Sequence, residues 1–485
     1  MLLSIIVSVF AALLFIGVVL VIIYDNGDTG YKLAWLLLIT FLPVVGIILY
    51  LLVGINYRHH RFFNRRHQEA FDIFAAESDA KVTGLLGKGA DLSSLDERFR
   101  PLAGMFLKGS DIYNLSEGNS FEIITSGKRK YDLLLEDIRN ARLSIHLEYF
   151  HFGNDKGGQD VRNLLEQKAR EGVEVRFLNE NIANFPIPSS YYDSMRKSGI
   201  EVVRFTNPKK GLLSLPMRLN YRNHRKTVVI DGRIGYTGGM NINNHYFFQW
   251  RDTHLRIEGS AVAALQTSFI DSWLTSGGSI KLPLPEYFSD APADRAEGPG
   301  KFSGKIMQIV TDEPTREYPL IQMGYEWVLQ NARDYIYLQT PYLVPPESVL
   351  RGLKSAVLRG VDVRLMLPEK VDTLLMGAAN KAYYGECLEA GIRIFERGGE
   401  FIHSKTLVCD DYLSQIGTAN IDVRSFSINF EENAYIYDRQ AALANKEIFM
   451  SDLALSREVT LEEWNRRKWH QNIGPRIMRL FSGVL

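Results

Sequence analysis

The sequence predicts an α/β protein made of one unit written twice, set behind an N-terminal pair of hydrophobic helices. Three observations carry this expectation. Two long uncharged runs open the chain. Beyond residue 110, short β-branched stretches alternate with longer helical patterns. Blocks of the first half then recur in the same order about 190 residues later.

The opening runs come first. LLSIIVSVFAALLFIGVVLVII (2–23) and LAWLLLITFLPVVGIILYLLVGI (33–55) flank a short polar turn of Asp25, Asn26, Gly27, Asp28 and Gly30. Each is long enough to cross a hydrocarbon core of ~30 Å as a helix. A signal peptide does not fit, because the first run lacks a basic start and a small-residue cleavage site. Pro43 and Gly46 interrupt the second helix, as membrane helices tolerate. YRHHRFFNRRH follows directly, with Arg58, Arg61, Arg65 and Arg66, while the connecting turn is acidic. The positive-inside rule puts both the N-terminus and the large C-terminal part on the cytoplasmic side, with the arginines against anionic headgroups. The hairpin is expected over 1–57 and a basic juxtamembrane linker over 58–110.

The chain's 485 residues are enough for two or three domains. Of them 46% are hydrophobic and 23% charged, and Lys+Arg equals Asp+Glu at 56 each. Zero net charge argues against gripping nucleic acid through bulk electrostatics. Two cysteines, Cys387 and Cys409, build neither a disulfide framework nor a cysteine-rich metal site.

RLSIHLEYF (142–150) resembles DYIYLQTPY (334–342), EGVEVRFL (171–178) resembles RGVDVRLM (359–366), and YYDSMRKSGIEVVRF (191–205) resembles YYGECLEAGIRIFER (383–397). Each half reads as strand, helix, strand, helix, strand, with Gly172, Gly199, Gly360 and Gly391 closing helices. This predicts largely parallel sheets covered by helices. Repeats are expected over 111–275 and 305–485, joined by a linker over 276–304 with Pro283, Pro285, Pro292 and Pro299.

NHRKTVVIDGRIGYTGGMN (223–241) returns as IHSKTLVCDDYLSQIGTAN (402–420). His224, Lys226, Asp231, Gly238 and Asn241 recur as His403, Lys405, Asp410, Gly417 and Asn420 at identical spacing. A lone H-x-K says little, whereas two copies of H-x-K-x4-D-x6-G-x2-N inside a repeat say much. A duplicated packing unit would share apolar and glycine positions, not His, Lys and Asn, which are poor core residues.

Residues at i and i+2 of a strand share a face. His224 and Lys226 therefore point together, as do His403 and Lys405. If the halves pack about a pseudo-twofold axis, the faces converge on two imidazoles, two ammonium groups and two amides. A phosphodiester suits that pocket. One histidine can attack phosphorus while the other protonates the departing alcohol and then deprotonates the incoming one. Asp252 and Glu431, each eleven residues past its Asn, are candidates to orient the histidines, a surface salt bridge being the alternative. Asp231 and Asp410 count among the motif's catalytic set, although at strand ends they read as turn-fixing residues. Gly238, Gly239 and Gly417 allow close backbone approach. A two-histidine zinc site is disfavoured by the adjacent lysines, so no metal or cofactor is expected.

The duplicated motif resembles that of the phospholipase D superfamily, with its two HKD motifs. RNHRKTVVIDG, YTGGMNI, WRDTHLRIEG, HSKTLVCDD, GTANIDVRSFSINFEEN and the two-helix N-terminus resemble its branch of bacterial cardiolipin synthases. The resemblance implies two tandem α-β-α sandwich repeats about a pseudo-twofold axis, sharing one active site in a multi-pass protein of the bacterial cell membrane. It implies a metal-independent phosphatidyltransferase that turns two phosphatidylglycerol molecules into cardiolipin and glycerol. It gives the nucleophile's role to His224, acid/base work to His403, and phosphate binding to Lys226, Lys405, Asn241 and Asn420.

A phospholipase D, or a transferase with another alcohol acceptor, is the near alternative. A membrane-tethered nuclease and a non-catalytic scaffold are further ones. The bilayer is the expected partner, nucleic acid is not, and a homo-oligomer stays open. GLLSLPM (211–217) reads as a segment that dips into the bilayer or as a buried loop. The C-terminal run from Trp464 to Phe481 reads as an interfacial anchor or as core packing.

Overall fold

A computed structural model describes residues 2–24, 29–54, 68–69, 72, 90–109, 115–205, 221–280, 284–289, 298, 300–314 and 316–480. Three helices lead: α1 (Leu2–Tyr24), α2 (Thr29–Phe41) and α3 (Pro43–Val53). The second hydrophobic run breaks at Leu42, with Pro43 in the first turn of α3, where its missing N–H removes no helical bond. Gly46 stays helical and admits α2 closely: a Cβ there would lie 2.8 Å from Ile39 Cα. Val18, Ile22, Trp35, Ile39, Ile47 and Tyr50 are buried against one another. Among the described residues, no helix is long and apolar enough to cross a membrane. The polar turn at 25–28, Arg58, Arg61, Arg65, Arg66 and the segment 211–217 lie outside the described residues.

The first half contributes β1 (Leu115–Ile124), β2 (Ser144–Tyr149), β3 (Glu174–Asn179), β4 (Glu201–Arg204), β5 (Arg222–Asn223), β6 (Lys226–Ile230), β7 (Ile234–Gly238) and β8 (His254–Glu258). The second contributes β9 (Lys301–Asp312), β10 (Tyr335–Gln339), β11 (Leu343–Val344), β12 (Asp362–Pro368), β13 (Arg393–Arg397), β14 (Thr406–Cys409), β15 (Leu413–Gly417), β16 (Ile421–Asp422), β17 (Asn429–Tyr437) and β18 (Ser456–Val459). They form a mixed α/β fold on one 16-stranded sheet, β11 and β16 pairing apart. Antiparallel β1 and β9 meet at its centre. Outward from this seam the order is β8, β7, β6, β2, β3, β4 on one side and β17, β15, β14, β10, β12, β13, β18 on the other.

The sheet is not largely parallel, which corrects the expectation above. Among the long strands, parallel pairing is confined to β2–β3–β4 and β10–β12–β13. The centre is antiparallel because each motif is itself a hairpin, β6–β7 and β14–β15, and a short connection permits only antiparallel pairing. The glycine expectation holds: Gly172, Gly199, Gly360 and Gly391 follow helices with φ between 89° and 96°, the left-handed region that closes a helix.

Alternation assigns the sheet's two faces. Ile145, Leu147 and Tyr149 of β2, with Val228 and Ile230 of β6, pack under helices Gly127–Asn140, Lys156–Arg170 and Ser189–Lys197. His146 points the other way and stacks at 4.7 Å on Phe269 of helix Ala261–Thr275. Helices thus cover both faces.

Two stretches read as linkers also pack. Helix Arg100–Gly109 buries Leu102, Ala103 and Phe106 in the second half's core, where Phe106 meets Tyr435 at 4.7 Å. Pro285 lies in a single turn, Leu284–Tyr287, and Tyr287 and Phe288 are buried beside Phe269. At the C-terminus Trp464 packs on Tyr384 at 5.3 Å and Arg479 over Tyr383 at 4.1 Å, while Trp469 and Ile477 are exposed. Cys387 and Cys409 are buried free thiols.

Candidate active site

His224 stands between β5 and β6. Its backbone N–H donates to Phe430 O at 2.9 Å, and its Nδ1 lies 2.9 Å from Oε2 of the next residue, Glu431. The other motif repeats this with the halves exchanged. His403 N–H donates to Arg251 O at 2.7 Å, and its Nδ1 lies 2.8 Å from Oδ2 of Asp252. Each histidine is therefore held, backbone and ring, by the half it does not belong to. A carboxylate at Nδ1 accepts a hydrogen bond from Nδ1–H and leaves the His224 Nε2 lone pair toward the pocket; at His403, Lys405 Nζ also lies 2.7 Å from Nδ1 and 3.1 Å from Nε2.

Lys226 Nζ and Lys405 Nζ each donate to the carbonyl of their own histidine, both at 2.5 Å. Lys226 and Lys405 are wholly buried, whereas His224 keeps 8% and His403 5% of its surface exposed, so the imidazoles form the accessible tip of the cluster. Burial pushes His224 down to about 4 and His403 to about 3, with Lys226 and Lys405 adding to the shift and the carboxylates opposing it. Burial lowers Lys405 to about 8 and Lys226 well below the usual lysine range. Burial alone would raise Glu431, yet His224 and Lys226 hold it at about 2. Asp252 is held low against burial by Lys405 and His403. The imidazoles are thus neutral and the carboxylates ionised. Among the described residues, no three His, Cys, Asp or Glu side chains converge as a metal site.

Asn241 and Asn420 follow the motif hairpins. Asn241 Oδ1 accepts from His151 N–H at 3.0 Å, while Asn420 Oδ1 is buried without a partner. Glycine is required beneath both loops: a Cβ on Gly239 would lie 2.1 Å from Asp252 Oδ1, and one on Gly417 1.9 Å from Asn433 Oδ1.

Asp231 and Asp410 are not in the pocket, which corrects their place in the catalytic set. Asp231 takes N–H bonds from Arg142, Leu143 and Ser144, and Asp410 from Arg333, Asp334 and Tyr335. Each carboxylate pins its hairpin turn, at φ +52° and +50°, to the start of the neighbouring strand. The physical reason is distance: at ~3.3 Å per residue the turn lies roughly 15 Å along the strand from its lysine.

Several neighbours were not singled out from the sequence. Phe150 meets the His224 ring edge-on at 4.9 Å, and Tyr342 meets His403 at 6.3 Å. These two align in the repeat as the last residues of RLSIHLEYF and DYIYLQTPY, a signal that could have found them. Tyr246, Trp250 and Phe401 also surround His403, at 5.3, 5.6 and 5.9 Å. Thr418 Oγ1 and Asn429 Nδ2 donate to Glu431, at 2.5 and 3.1 Å.

A family model described as cardiolipin synthase, PLD-like domain, matches residues 134–273 and 327–453, and one described as phospholipase D-nuclease N-terminal matches 12–54. The chain is 38% identical over 497 residues to the major cardiolipin synthase ClsA of Bacillus subtilis strain 168, covering 99% of each. It is 36% identical over 469 residues to the cardiolipin synthase of Listeria monocytogenes serotype 4a strain HCC23, covering 95% of each. The phosphatidylserine synthase of Haemophilus influenzae Rd KW20 superposes with a TM-score of 0.57 over 80% of this chain and 100% of that one; at 16% identity this concerns the fold alone.

Proposed function

The chain belongs to the cardiolipin synthases built on phospholipase D-like domains, and on that premise we propose that it joins two phosphatidylglycerol molecules into cardiolipin and glycerol. The observation that carries this reading is the crossed pair of histidine–carboxylate contacts, His224–Glu431 and His403–Asp252, closed over two lysines.

His224 Nε2 attacks phosphorus. A P–N bond forms, the P–O bond to the glycerol headgroup breaks, and His403 protonates the leaving alkoxide. Burial, and after it Lys405, keeps His403 neutral; a bound negative phosphate favours the imidazolium this step needs. A headgroup hydroxyl of the second phosphatidylglycerol then gives its proton to His403 and attacks the phosphohistidine, regenerating His224. Lys226, Lys405, Asn241 and Asn420 bind the phosphate oxygens through both steps.

The symmetric strand order supports two tandem α-β-α repeats about a pseudo-twofold axis, with domains as the sequence divides them. The uncharged runs at 2–23 and 33–55 in the sequence, with the match of 12–54 to a phospholipase D-nuclease N-terminal model, support a membrane hairpin. The arginines after it support a cytoplasmic catalytic part in the cell membrane.

The test is the purified protein in vesicles of labelled phosphatidylglycerol. Cardiolipin with equimolar glycerol is expected. Phosphatidic acid without cardiolipin would mean that water, not lipid, is the acceptor, and the synthase reading would fall.

A further inference from the structure

Lys130 belongs to neither motif. It lies on helix Gly127–Asn140 and is wholly buried. Its Nζ donates to Met240 O at 2.6 Å, the carbonyl just before Asn241, and stands 5.1 Å from the ring centre of Tyr149. Tyr149 is the register partner of Lys226. The electrostatic neighbours of Lys130 are Asp252, Lys226 and His254. Gly127 lets the helix come this close, since a Cβ there would lie 1.8 Å from Tyr246 O. Both ring nitrogens of His254 and the Tyr149 hydroxyl are buried nearby without partners.

A tie between helix and loop needs no charge, and a neutral amide would be less costly to bury. A charge is explained by what the site binds. Three lysines, Lys130, Lys226 and Lys405, stand with the two histidine-orienting carboxylates, Glu431 and Asp252. Burial holds Lys130 well below the usual lysine range. A phosphodiester adds a negative charge to this buried cluster, which favours the ammonium form of Lys130 and is offset by it. The third lysine lies in the first half alone. Aligned through RLSIHLEYF and DYIYLQTPY, the matching position is Gln322, whose amide is spent on Glu326 and Ser348.

We propose that Lys130 is a positioning residue of the phosphodiester site: it holds Met240 and Asn241 in place and supplies the positive charge that balances the bound phosphate. This rests on the reaction assigned above.

The test uses the full chain in detergent, with tungstate as the oxyanion probe. Its affinity is read from inhibition and, independently of turnover, from the rise in Tm it produces. Lys130→Gln keeps a donor for Met240 O without the charge. It is expected to weaken tungstate binding at least tenfold and kcat/KM about 100-fold, and Lys130→Arg to restore most of both. A folded Lys130→Gln protein that binds tungstate as the wild type does overturns the proposal. If Lys130→Gln does not fold, Lys130→Gln/His254→Lys returns a charge beside Lys226. Recovery of folding and tungstate binding together supports the proposal. Recovery of folding alone, or of neither, assigns Lys130 a packing role and overturns it. A chain that makes no cardiolipin yet binds tungstate in a Lys130-dependent way would refute the reaction and keep this proposal.

Discussion

Glu431 of the second half orients His224 of the first, with Oε2 2.9 Å from Nδ1, and Asp252 returns the relationship to His403 at 2.8 Å. Neither half contains a complete histidine–carboxylate pair. The candidate site exists only where the halves meet, and its two histidines are equivalent in backbone anchoring but not in surroundings.

Glu431→Gln and Asp252→Asn should each lower kcat ~10- to 100-fold, the usual cost of losing a carboxylate behind a working imidazole. Rapid-quench kinetics separate them. Glu431→Gln should slow formation of the phosphatidyl-enzyme, and Asp252→Asn its transfer to the second lipid. Equal slowing of both steps in both variants would contradict the division of labour.

His224→Ala should abolish protein-bound label from phosphatidylglycerol labelled at phosphorus. His403→Ala should still acquire label slowly and then hold it, losing ~10²- to 10⁴-fold in turnover with the acid/base group. Labelled His224→Ala protein would reverse the two roles.

Asp410→Ala should affect stability rather than chemistry. It strips acceptors from the N–H groups of Arg333, Asp334 and Tyr335. Tyr335 is buried while Arg333 and Asp334 are exposed; one unsatisfied buried donor costs ~1–3 kcal/mol, so Tm should fall by several degrees while the folded fraction keeps a near-normal kcat. A large loss of kcat at unchanged Tm would return Asp410 to the chemistry.

The pH dependence has a definite sign. His224 is pushed down to about 4, so it stays unprotonated, and able to attack, until the medium is far more acidic than for an ordinary imidazole. The acid limb of kcat/KM should fall near pH 4. Lys405 is pushed down to about 8, so phosphate binding should weaken as pH rises through that value. Lys405→Arg, which keeps its charge, should move the basic limb to higher pH. An acid limb at the ordinary imidazole value would show that the lysines and burial do not act on His224 as described.

Much of this was legible in the sequence because it is local. The i, i+2 spacing of His224 and Lys226 puts them on one strand face. The helix-closing glycines announced their left-handed backbone, and the repeat exposed the second motif. The antiparallel centre was hidden, because the alternation of strand and helix outside the motifs resembles a parallel fold while the motif itself is a hairpin. Helix Arg100–Gly109 was read as linker because the half whose core it joins begins some two hundred residues further on.

The sequence by itself determined the duplicated chemistry: which residue types, at which spacing, on which face. Only the tertiary structure decided which carboxylate serves which histidine, that Asp231 and Asp410 stay at the turns, and that Lys130 meets the carbonyl of Met240. Those contacts join residues 207, 151 and 110 positions apart, for His224–Glu431, His403–Asp252 and Lys130–Met240. Periodicity along a strand or helix fixes direction over a few residues. Contacts at such separations follow instead from the order of strands about the β1–β9 seam.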